Sequence, residues 1–278
     1  MPVKISIVTA SFNSARSIRE AVLSVAKQSY LNIEHVIVDG ASRDATAQIV
    51  SSAATPKTTF VSEPDRGIYD AWNKGIRRAT GDYIWLLNSD DQVFDDTAVS
   101  DAVNFIISHD SPPVVYAKIK AYEKSTGYSY VAGAPTGLDG FVYGMKDFCI
   151  LATIIRKDVF ERVGYFSEDY QISSDYDWAI KLFKALPKSE IIFFDRIITN
   201  FSVGGVSNLR YREAYAEVSK IIRKHYPYRI YLIHKVYFSY RLLLMSLVPV
   251  ARKLGLLSVW RRYRELYARW LRESSAPG

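Results

Sequence analysis

The first third of the chain alternates short, apolar, β-branched runs with longer amphipathic stretches. Four runs have the length and composition of strands, at residues 3–10, 33–38, 58–61 and 83–87. The stretches between them predict helices over 17–28, 45–53 and 68–79. Strands that alternate with helices of this length need crossover connections, which make neighbouring strands parallel. The sequence therefore predicts an α/β fold with a mostly parallel central sheet flanked by helices.

The remaining residues are less regular. They predict a hairpin over 114–131 turning near Thr126 and Gly127, helices over 157–163 and 177–185, and strands within 191–201. From Arg210 onward the pattern is helical, basic and rich in tyrosine. Ser17 followed by Glu20 has the spacing of a capping box for the first helix.

Polar clusters stand at the end of each strand in the first third. They occupy residues 9–13, 39–44, 63–67 and 88–91. The carboxyl ends of parallel strands share one edge of the sheet, and α/β folds bind their ligands outside that edge. We therefore expect these clusters to form one functional site.

Asp90 and Asp91 stand side by side after a strongly apolar strand. Adjacent carboxylates repel each other, so keeping both ionised at a strand end is unfavourable without a cation. A divalent ion held by one or two carboxylates, with phosphate oxygens and water as further ligands, resolves the repulsion. A solvated turn that caps the next helix near residues 95–97 explains the same pair without a ligand.

Asp39 also follows a buried strand. A carboxylate there can accept from the N–H of a base or from ribose hydroxyls, as acidic residues do in dinucleotide folds. The structural alternative is that Gly40 makes the turn and Asp44 caps the next helix. We interpret Asp44 as mainly structural and Asp39 as mainly functional.

The segment 62–75 concentrates charged and aromatic side chains where a loop opens a helix. A helix N-terminus with Arg66 beside it suits a diphosphate, because its N–H groups and the guanidinium favour negative charge. A capped helix with an exposed ion-pair face does not explain the whole composition.

The segment 173–178 begins another helix and carries Asp175 and Asp177 in its first turn. Carboxylates there complement the helix dipole, which is the structural interpretation. The functional interpretation makes one of them a general base for an acceptor hydroxyl.

The positive charge is concentrated at the C-terminal end. Residues 208–278 hold 15 Lys and Arg against 4 Asp and Glu, so residues 1–207 are net −4 although the chain is +7. This asymmetry predicts an anionic partner for the tail, either a membrane or a nucleic acid. The single cysteine, Cys149, allows no internal disulfide, and the N-terminal residues lack the pattern of a signal peptide. We expect a cytoplasmic protein.

The tail has the composition of an in-plane interfacial helix. Its longest charge-free run, 242–251, is too short to span a bilayer, which takes about 20 residues. Arginines alternate with Trp260, Tyr263, Tyr267 and Trp270 at helical spacing. Packing against the rest of the protein and a contact between copies are the alternatives, and nucleic-acid binding has no supporting motif. We expect peripheral binding to the inner face of the cell membrane.

Six of these segments together resemble the family 2 glycosyltransferases of the GT-A fold, particularly the branch that assembles bacterial polysaccharides and cell-surface glycans. They are SIVTASFN at 6–13, DGASRDAT at 39–46, EPDRGIYDAWNKG at 63–75, GDYIWLLNSDD at 81–91, SDYDW at 174–178 and GGVS at 204–207. Each motif is weak alone, but six in order over about residues 3–210 are specific.

The resemblance implies a domain organisation. A GT-A catalytic domain would occupy residues 1–207, with a nucleotide-sugar half at about 1–95 and an acceptor half at about 96–207. A basic, aromatic, helical extension would follow over 208–278 and serve membrane or oligomer contacts.

The resemblance also implies roles for individual residues. Thr9 and Asp39 would hold the nucleoside, with Asp39 on the base, and Asp175 would be the base that activates the acceptor. Asp90 and Asp91 would bind Mn²⁺ or Mg²⁺, with Asp91 as the direct ligand. The further donor contacts would be Arg66, Asp70, Lys74 and Asp90. The implied reaction is an inverting single displacement from a nucleoside-diphosphate sugar, by expectation a UDP-sugar, to a hydroxyl of a glycan or lipid-linked acceptor.

One departure from the family pattern concerns residues 150 and 151. Relatives in this branch often carry His-Gln before the Ala-Thr found here at Ala152 and Thr153, whereas this chain has Ile150 and Leu151. The alternative function is therefore a catalytically weak, membrane-associated subunit that binds nucleotide-sugar within an assembly complex. A sugar-phosphate nucleotidylyltransferase is excluded, because residues 10–14 are not the Gly-rich loop with Arg and Lys that it needs.

Overall fold

The computed structural model describes residues 2–124, 126–137, 148–236 and 239. The chain divides into two compact units, one over Met1–Val218 and the other over Ser219–Gly278. This division falls later in the chain than the predicted domain boundary after residue 207. The tail segments on which the membrane prediction rests, at 242–251 and 260–272, lie outside the described residues.

Strands and helices alternate as the sequence predicted. The strands are β1 (Ile5–Ser11), β2 (Ile33–Asp39), β3 (Thr58–Ser62), β4 (Tyr83–Asn88), β5 (Gln92–Val93), β6 (Val114–Tyr122), β7 (Ser129–Ala132), β8 (Thr153–Arg156) and β9 (Ile191–Ser202). The helices are α1 (Ile18–Ala26), α2 (Thr46–Ala53), α3 (Ile68–Arg78), α4 (Ala98–Ser108), α5 (Asp158–Val163), α6 (Ser174–Ala185), α7 (Val206–Leu209) and α8 (Tyr211–His225). Short 3₁₀ helices lie at Ile150–Ala152 and Lys188–Glu190.

The described strands form one sheet in the order β3-β2-β1-β4-β8-β6-β9-β5, with β7 paired to β6. β1 lies between β2 and β4, and β3 pairs with β2, all in parallel. In the second half β8 runs antiparallel to β4 and β6, while β6 and β9 are parallel. The predicted hairpin is confirmed as the antiparallel pair of β6 and β7.

Helices cover both faces of the parallel strands. Ile5 and Ile7 of β1 share a buried cluster with α4, whereas Val8 points to the opposite face, toward α3. A Cβ on Gly75 of α3 would lie 2.3 Å from the Val8 Cγ1. Only glycine lets this helix approach the sheet so closely, and the close approach places the N-terminus of α3 at the sheet edge.

Three local predictions differ from the structure. The capping box is wrong, because Ser17 makes no side-chain cap hydrogen bond to α1. Strand β8 was missed, since four residues are too short for a periodic signal. Helix α6 begins at Ser174, three residues before the predicted range 177–185, and Asp175 lies in its first turn, as the segment 173–178 indicated. No helix in the described ranges is both long and apolar enough to cross a bilayer.

Candidate active site

Four parallel strands end at a common edge of the sheet. Their register pairs Ser11 with Asp39, Asp39 with Ser62, and Ala10 with Asn88. The polar segments that follow these strands therefore lie side by side, as the sequence predicted.

Asp39 is fully buried and accepts four hydrogen bonds from the chain itself. Its Oδ1 accepts from the hydroxyls of Ser11 at 3.0 Å and Ser42 at 2.5 Å. Its Oδ2 accepts from the Ser42 N–H at 2.9 Å and from the Ser62 hydroxyl at 2.7 Å. Each oxygen thus has two donors, which is close to its capacity. Asp39 therefore fixes the loop after β2. A nucleobase could hydrogen-bond to the Asp39 carboxylate only by replacing one of these donors.

Asp44 ties the start of α2 to the loop after β1. Its carboxylate accepts from the N–H and hydroxyl of Thr46 at 3.0 and 2.5 Å and from the Ala15 N–H at 3.0 Å. The bond from the Thr46 hydroxyl is the largest cause of a lowered pKa at Asp44. These contacts agree with the structural role that the sequence indicated.

Thr9 is buried within β1, two residues before the strand ends. Its Oγ1 lies 2.9 Å from Nε2 of His35, which is itself buried. Burial lowers the pKa of His35 to about 3, because the charged imidazolium is disfavoured away from water. The Thr9 side chain is therefore engaged inside the sheet.

The N-terminus of α3 carries the predicted donor contacts. Gly67 precedes the helix at φ 125°, a conformation that favours glycine. The Asp70 Oδ2 accepts from the Arg66 N–H at 3.0 Å and lies 3.1 Å from the Lys74 Nζ. Burial raises the pKa of Asp70, but these two contacts outweigh it, so the net shift is downward. Asp70 and Lys74 are thus paired with each other at the first turns of the helix.

Arg66 differs from its two neighbours in exposure. Its side chain is 74% exposed and forms ion pairs with Asp70 and with Glu168, which lies between α5 and α6. Lys74 also donates to the Pro64 carbonyl at 2.8 Å. Of the three predicted contacts, the Arg66 guanidinium is therefore the group most accessible to a bound anion.

Asp91 is 1% exposed, and one of its oxygens lacks a hydrogen-bond partner in the part of the chain that the structure describes. Its Oδ1 accepts from the Ser202 N–H at 2.7 Å, whereas Oδ2 has no hydrogen-bond partner among the described residues. Within the same described part of the chain, the Oδ1 of Asn88 is also buried without a hydrogen-bond partner. Burial, and then the charge of Asp90, raise the pKa of Asp91 well above its usual range, and burial also raises the pKa of Asp90.

These oxygens fit a hard divalent cation. Buried oxygens without donors are unfavourable unless a donor or a cation binds them, and a fully buried Asp91 is not a solvated turn. Magnesium is usually held by one or two carboxylates together with phosphate oxygens and water. The described residues contain no group of three or more His, Cys, Asp or Glu side chains arranged to hold a metal, so further ligands would come from a diphosphate and water.

Asp175 contacts α3 from the first turn of α6. Its Oδ1 lies 3.0 Å from the Tyr69 hydroxyl, which is also 2.7 Å from the Ile172 carbonyl oxygen. Tyr69 is 5% exposed. Burial and the negative charge of Asp175 raise the pKa of Tyr69 well above its ordinary value. Tyr69 therefore keeps its single hydroxyl proton, which the Ile172 carbonyl and the Asp175 carboxylate share as acceptors.

The pKa of the Cys149 thiol is affected by two predicted site residues, Asp91 and Asp175. The pKa of this thiol is raised to about 12, mainly by burial and further by the charges of Asp91 and Asp175. The charges of both carboxylates therefore act on this one half-buried thiol. The thiol itself is unsuited to nucleophilic chemistry.

Ile150 and Leu151, which stand where the resemblance led us to expect His-Gln, lie in the core. Both are 5% exposed within the 3₁₀ helix that precedes β8. The Leu151 carbonyl accepts from the Trp85 Nε1–H at 2.9 Å and from the Thr199 hydroxyl at 2.7 Å. These two positions therefore supply packing and contribute no polar side chain.

Two residues of the 63–75 segment have roles that the sequence analysis did not assign. Tyr69 contacts Asp175, and Asn73 exchanges two hydrogen bonds with the backbone of Phe166 at 2.9 and 3.0 Å. Their spacing of four residues places them on one face of α3, and that spacing was the available signal. This face joins α3 to the segment that leads into α6.

The sequence matches the family model described as "Glycosyl transferase family 2" over residues 6–164. A PGL/p-HBAD biosynthesis glycosyltransferase of Mycobacterium bovis is 27% identical over 207 residues, which cover 73% of this chain and 78% of that protein. An uncharacterized glycosyltransferase of Mycobacterium tuberculosis is 27% identical over 229 residues, covering 81% and 86%.

Solved structures share the fold. TarS 1–349 of S. aureus in complex with UDP-GlcNAc superposes with a TM-score of 0.60 at 22% identity, over 79% of this chain and 66% of that one. The match spans 39% of the longer TarS chain. The mannosyltransferase PcManGT of Pyrobaculum calidifontis, in complex with GDP-Man and Mn²⁺, gives a TM-score of 0.64 at 18% identity, over 97% and 83%. The predicted GT-A fold is confirmed.

Proposed function

The chain belongs to glycosyltransferase family 2, and we propose that it transfers a sugar from a nucleoside-diphosphate donor to a hydroxyl of a glycan or lipid-linked acceptor. The observation that carries the proposal is the buried Asp91 carboxylate after β4, together with Asp175 at the start of α6. Asp91 is buried with an oxygen that no described residue contacts as a hydrogen-bond donor, and Asp175 stands in the first turn of a helix. One suits a cation that binds a diphosphate, and the other suits a base that binds an acceptor.

Several features support a nucleotide-sugar site at the sheet edge. The loop held by Asp39 adjoins the N-terminus of α3, because a Cβ on Gly40 would lie 2.4 Å from the Asp65 Oδ2. The exposed Arg66 and the helix dipole of α3 favour a diphosphate there. The TarS and PcManGT structures contain UDP-GlcNAc and GDP-Man, and UDP-sugar is the expected donor here. Thr9 and Asp39 would support the nucleoside end, with Thr9 acting from within the sheet.

Asp91, with Asp90 beside it, would hold Mn²⁺ or Mg²⁺. Such an ion offsets the negative charge that develops on the departing nucleoside diphosphate. Asp91 contributes the oxygen that lacks a donor, and the Ser202 N–H keeps its other oxygen in place. The Mn²⁺ in the PcManGT structure supports this assignment.

Asp175 would act as the general base in an inverting displacement. As its carboxylate takes the proton of the acceptor hydroxyl, the hydroxyl oxygen forms a bond to the anomeric carbon. The bond from that carbon to the diphosphate oxygen breaks, and the electron pair leaves with the nucleoside diphosphate. The Tyr69 hydroxyl, 3.0 Å from the Asp175 Oδ1, orients the carboxylate.

The basic tail supports an acceptor at a membrane surface. Its 15 Lys and Arg over 208–278, interleaved with aromatic residues, favour an anionic lipid surface. We propose peripheral attachment at the inner face of the cell membrane, which would bring the site to a lipid-linked acceptor. Homo-oligomer formation through the tail is the competing use of the same residues, and no nucleic-acid partner is proposed.

A second candidate function rests on Ile150 and Leu151. Because these positions are buried and apolar, any polar contribution of the usual His-Gln pair is missing. The chain would then be a subunit that binds nucleotide-sugar but turns it over weakly.

A donor panel tests the proposal. Purified protein is incubated with UDP-, GDP- and dTDP-sugars and Mn²⁺ or Mg²⁺, and released nucleoside diphosphate is measured beside donor binding. We expect release with one nucleotide class, lost in Asp175→Asn while donor binding persists. Asp169→Asn, an exposed aspartate of the same segment, is the control and should match the wild type. Binding without release supports the second candidate, and no binding by folded protein contradicts both.

A further inference from the structure

Glu217 of helix α8 holds the backbone that leads into α6. Its Oε1 accepts from the Gln171 N–H at 2.8 Å, and its Oε2 accepts from the Ile172 and Ser173 N–H groups at 2.9 and 2.8 Å. Three consecutive backbone donors thus converge on one half-buried carboxylate. All four residues belong to the first compact unit, Met1–Val218.

These three donors have no local acceptor. Ser173 precedes α6 as its N-cap but makes no side-chain cap hydrogen bond. The N–H of Ser173 lies at the helix start, where such groups need partners, and the N–H groups of Gln171 and Ile172 come just before it. A negative charge beside this end of α6 is favourable to the helix dipole. The Glu217 carboxylate, on helix α8, supplies both the hydrogen-bond acceptors and the negative charge. A further bond, from the Ser173 hydroxyl to the Ala214 carbonyl at 3.3 Å, ties the same segment to α8.

The segment 171–173 is held from two sides. The Ile172 N–H donates to Glu217, and the Ile172 carbonyl accepts from the Tyr69 hydroxyl at 2.7 Å. Tyr69 also contacts Asp175, so α3, α8 and the first turn of α6 meet at this segment. Gly67, just before α3, lies close to this segment: a Cβ atom added to Gly67 would be 3.2 Å from the Gln171 Oε1. The segment therefore borders the N-terminus of α3, where the diphosphate is proposed to bind.

We infer that Glu217 is a positioning residue for acceptor activation: it fixes segment 171–173 and thereby sets Asp175 against the donor. The inference rests on the proposed function, because it needs Asp175 to act as the base. It also assigns the first turns of α8, which the sequence analysis placed in the basic C-terminal extension, to the catalytic unit. Glu213, one turn earlier, is exposed and pairs only with Arg210 in the described contacts.

The test compares Glu217→Gln and Glu217→Asp with Glu213→Gln, a matched change on the same helix. A glutamine keeps one acceptor oxygen but cannot serve all three N–H groups. Release of nucleoside diphosphate from the donor sugar is measured as kcat and KM. We expect kcat to fall by roughly 10–100-fold in Glu217→Gln, since misplacing a reacting group by about 1 Å costs that much. KM for the donor stays near wild type, Glu217→Asp recovers part of kcat, and Glu213→Gln is unchanged.

A purely structural role would lower the yield or Tm of Glu217→Gln but leave kcat per folded molecule unchanged, and that result overturns the inference. Amide hydrogen exchange separates this outcome from failure of the proposed function. If the wild type releases nothing from any donor, the proposed function fails and the positioning role fails with it. Protection of the 171–173 amides that is lost only in Glu217→Gln would then still support the anchoring contact, and its absence in wild type would refute that contact too.

Discussion

The Tyr69 hydroxyl lies 3.0 Å from a carboxylate oxygen of Asp175, although the two residues are 106 positions apart in the chain. Tyr69 belongs to the helix that opens the proposed donor site, and Asp175 is the proposed base for the acceptor. One hydrogen bond therefore connects the two halves of the site. Its donor is buried and retains its proton, because burial and the charge of Asp175 raise the pKa of Tyr69.

Tyr69→Phe should lower turnover more than it lowers stability. The change removes the hydroxyl whose proton the Asp175 carboxylate and the Ile172 carbonyl share. A hydrogen bond to a charged group is worth about 1.5–3 kcal/mol, so kcat should fall by up to roughly 10–100-fold. Nucleoside-diphosphate release by folded protein measures this. Tyr165→Phe is the control, because its hydroxyl bonds Glu161 at 2.8 Å on the exposed side of the molecule. Equal kcat in both variants would contradict the role of Tyr69.

Asp39→Asn should destabilise the fold even without a nucleotide. An amide leaves one acceptor oxygen, so two of the donors from Ser11, Ser42 and Ser62 lose their partner. The free energy of unfolding should drop by about 2–3 kcal/mol, which lowers Tm by roughly 5–10 °C. Asp96→Asn, at an exposed carboxylate, should leave Tm unchanged. An unshifted Tm in Asp39→Asn would show that the buried bonds contribute little.

The free energy of unfolding should decrease as the pH is lowered, because of His35. Its pKa is lowered to about 3 by burial, so below about pH 6.5 the unfolded chain binds a proton that the folded chain does not. Between pH 6.5 and 4.5 the free energy of unfolding should decrease by about 2–3 kcal/mol on this account. Urea unfolding across this range measures the slope.

His35→Phe should flatten that slope, since a phenyl ring does not titrate. Two other groups with shifted pKa values, His234 and Glu34, can be distinguished from His35 in this experiment. His234, whose pKa burial lowers to about 4, acts in the same direction but is retained in the variant. The pKa of Glu34 is lowered to about 2, because hydrogen bonds from Ser6, Thr80 and Lys4 outweigh the effect of its burial. Its contribution to the free energy of unfolding is therefore lost only below about pH 4.5. An unchanged slope in the variant would assign the pH dependence elsewhere.

Asp91→Asn should stabilise the metal-free protein while removing its response to a cation. The buried carboxylate has an oxygen without a donor and a raised pKa, so its charge opposes folding. An amide removes the charge and still accepts from the Ser202 N–H. We expect Tm in EDTA to rise by roughly 2–4 °C, equivalent to about 1 kcal/mol. A lower Tm would mean that Asp91 supports the fold by itself.

The sequence predicted the parts of the site that depend on local patterns. Strands β1 to β4 and their polar ends were identifiable because periodicity and strand-end composition are local signals. The register that brings Ser11, Asp39 and Ser62 together follows from parallel pairing. The confirmed fold class therefore needed only the first third of the chain and the order of the motifs.

Contacts between distant elements were beyond the sequence. Nothing local indicates that Glu217 bonds the Ile172 N–H 45 positions away, because α8 has the composition of the basic tail. The full set of donors around Asp39 was equally hidden, since serine hydroxyls at strand ends are common and acquire meaning only through the register. Residues 150 and 151 were recognised as unusual, but only the structure shows that both are buried.

Binding of a nucleoside diphosphate at Asp91 tests the account most directly. Thermal unfolding of the wild type and Asp91→Asn is followed with UDP, GDP and dTDP, each with and without Mn²⁺. A ligand that binds only the folded state raises Tm. At a ligand concentration of 100 times Kd, it adds about 2.7 kcal/mol to the free energy of unfolding. We predict a rise with one nucleotide that requires Mn²⁺ and is absent in Asp91→Asn. No rise with any nucleotide in folded wild-type protein, or an equal rise in the variant, would contradict the donor site proposed here.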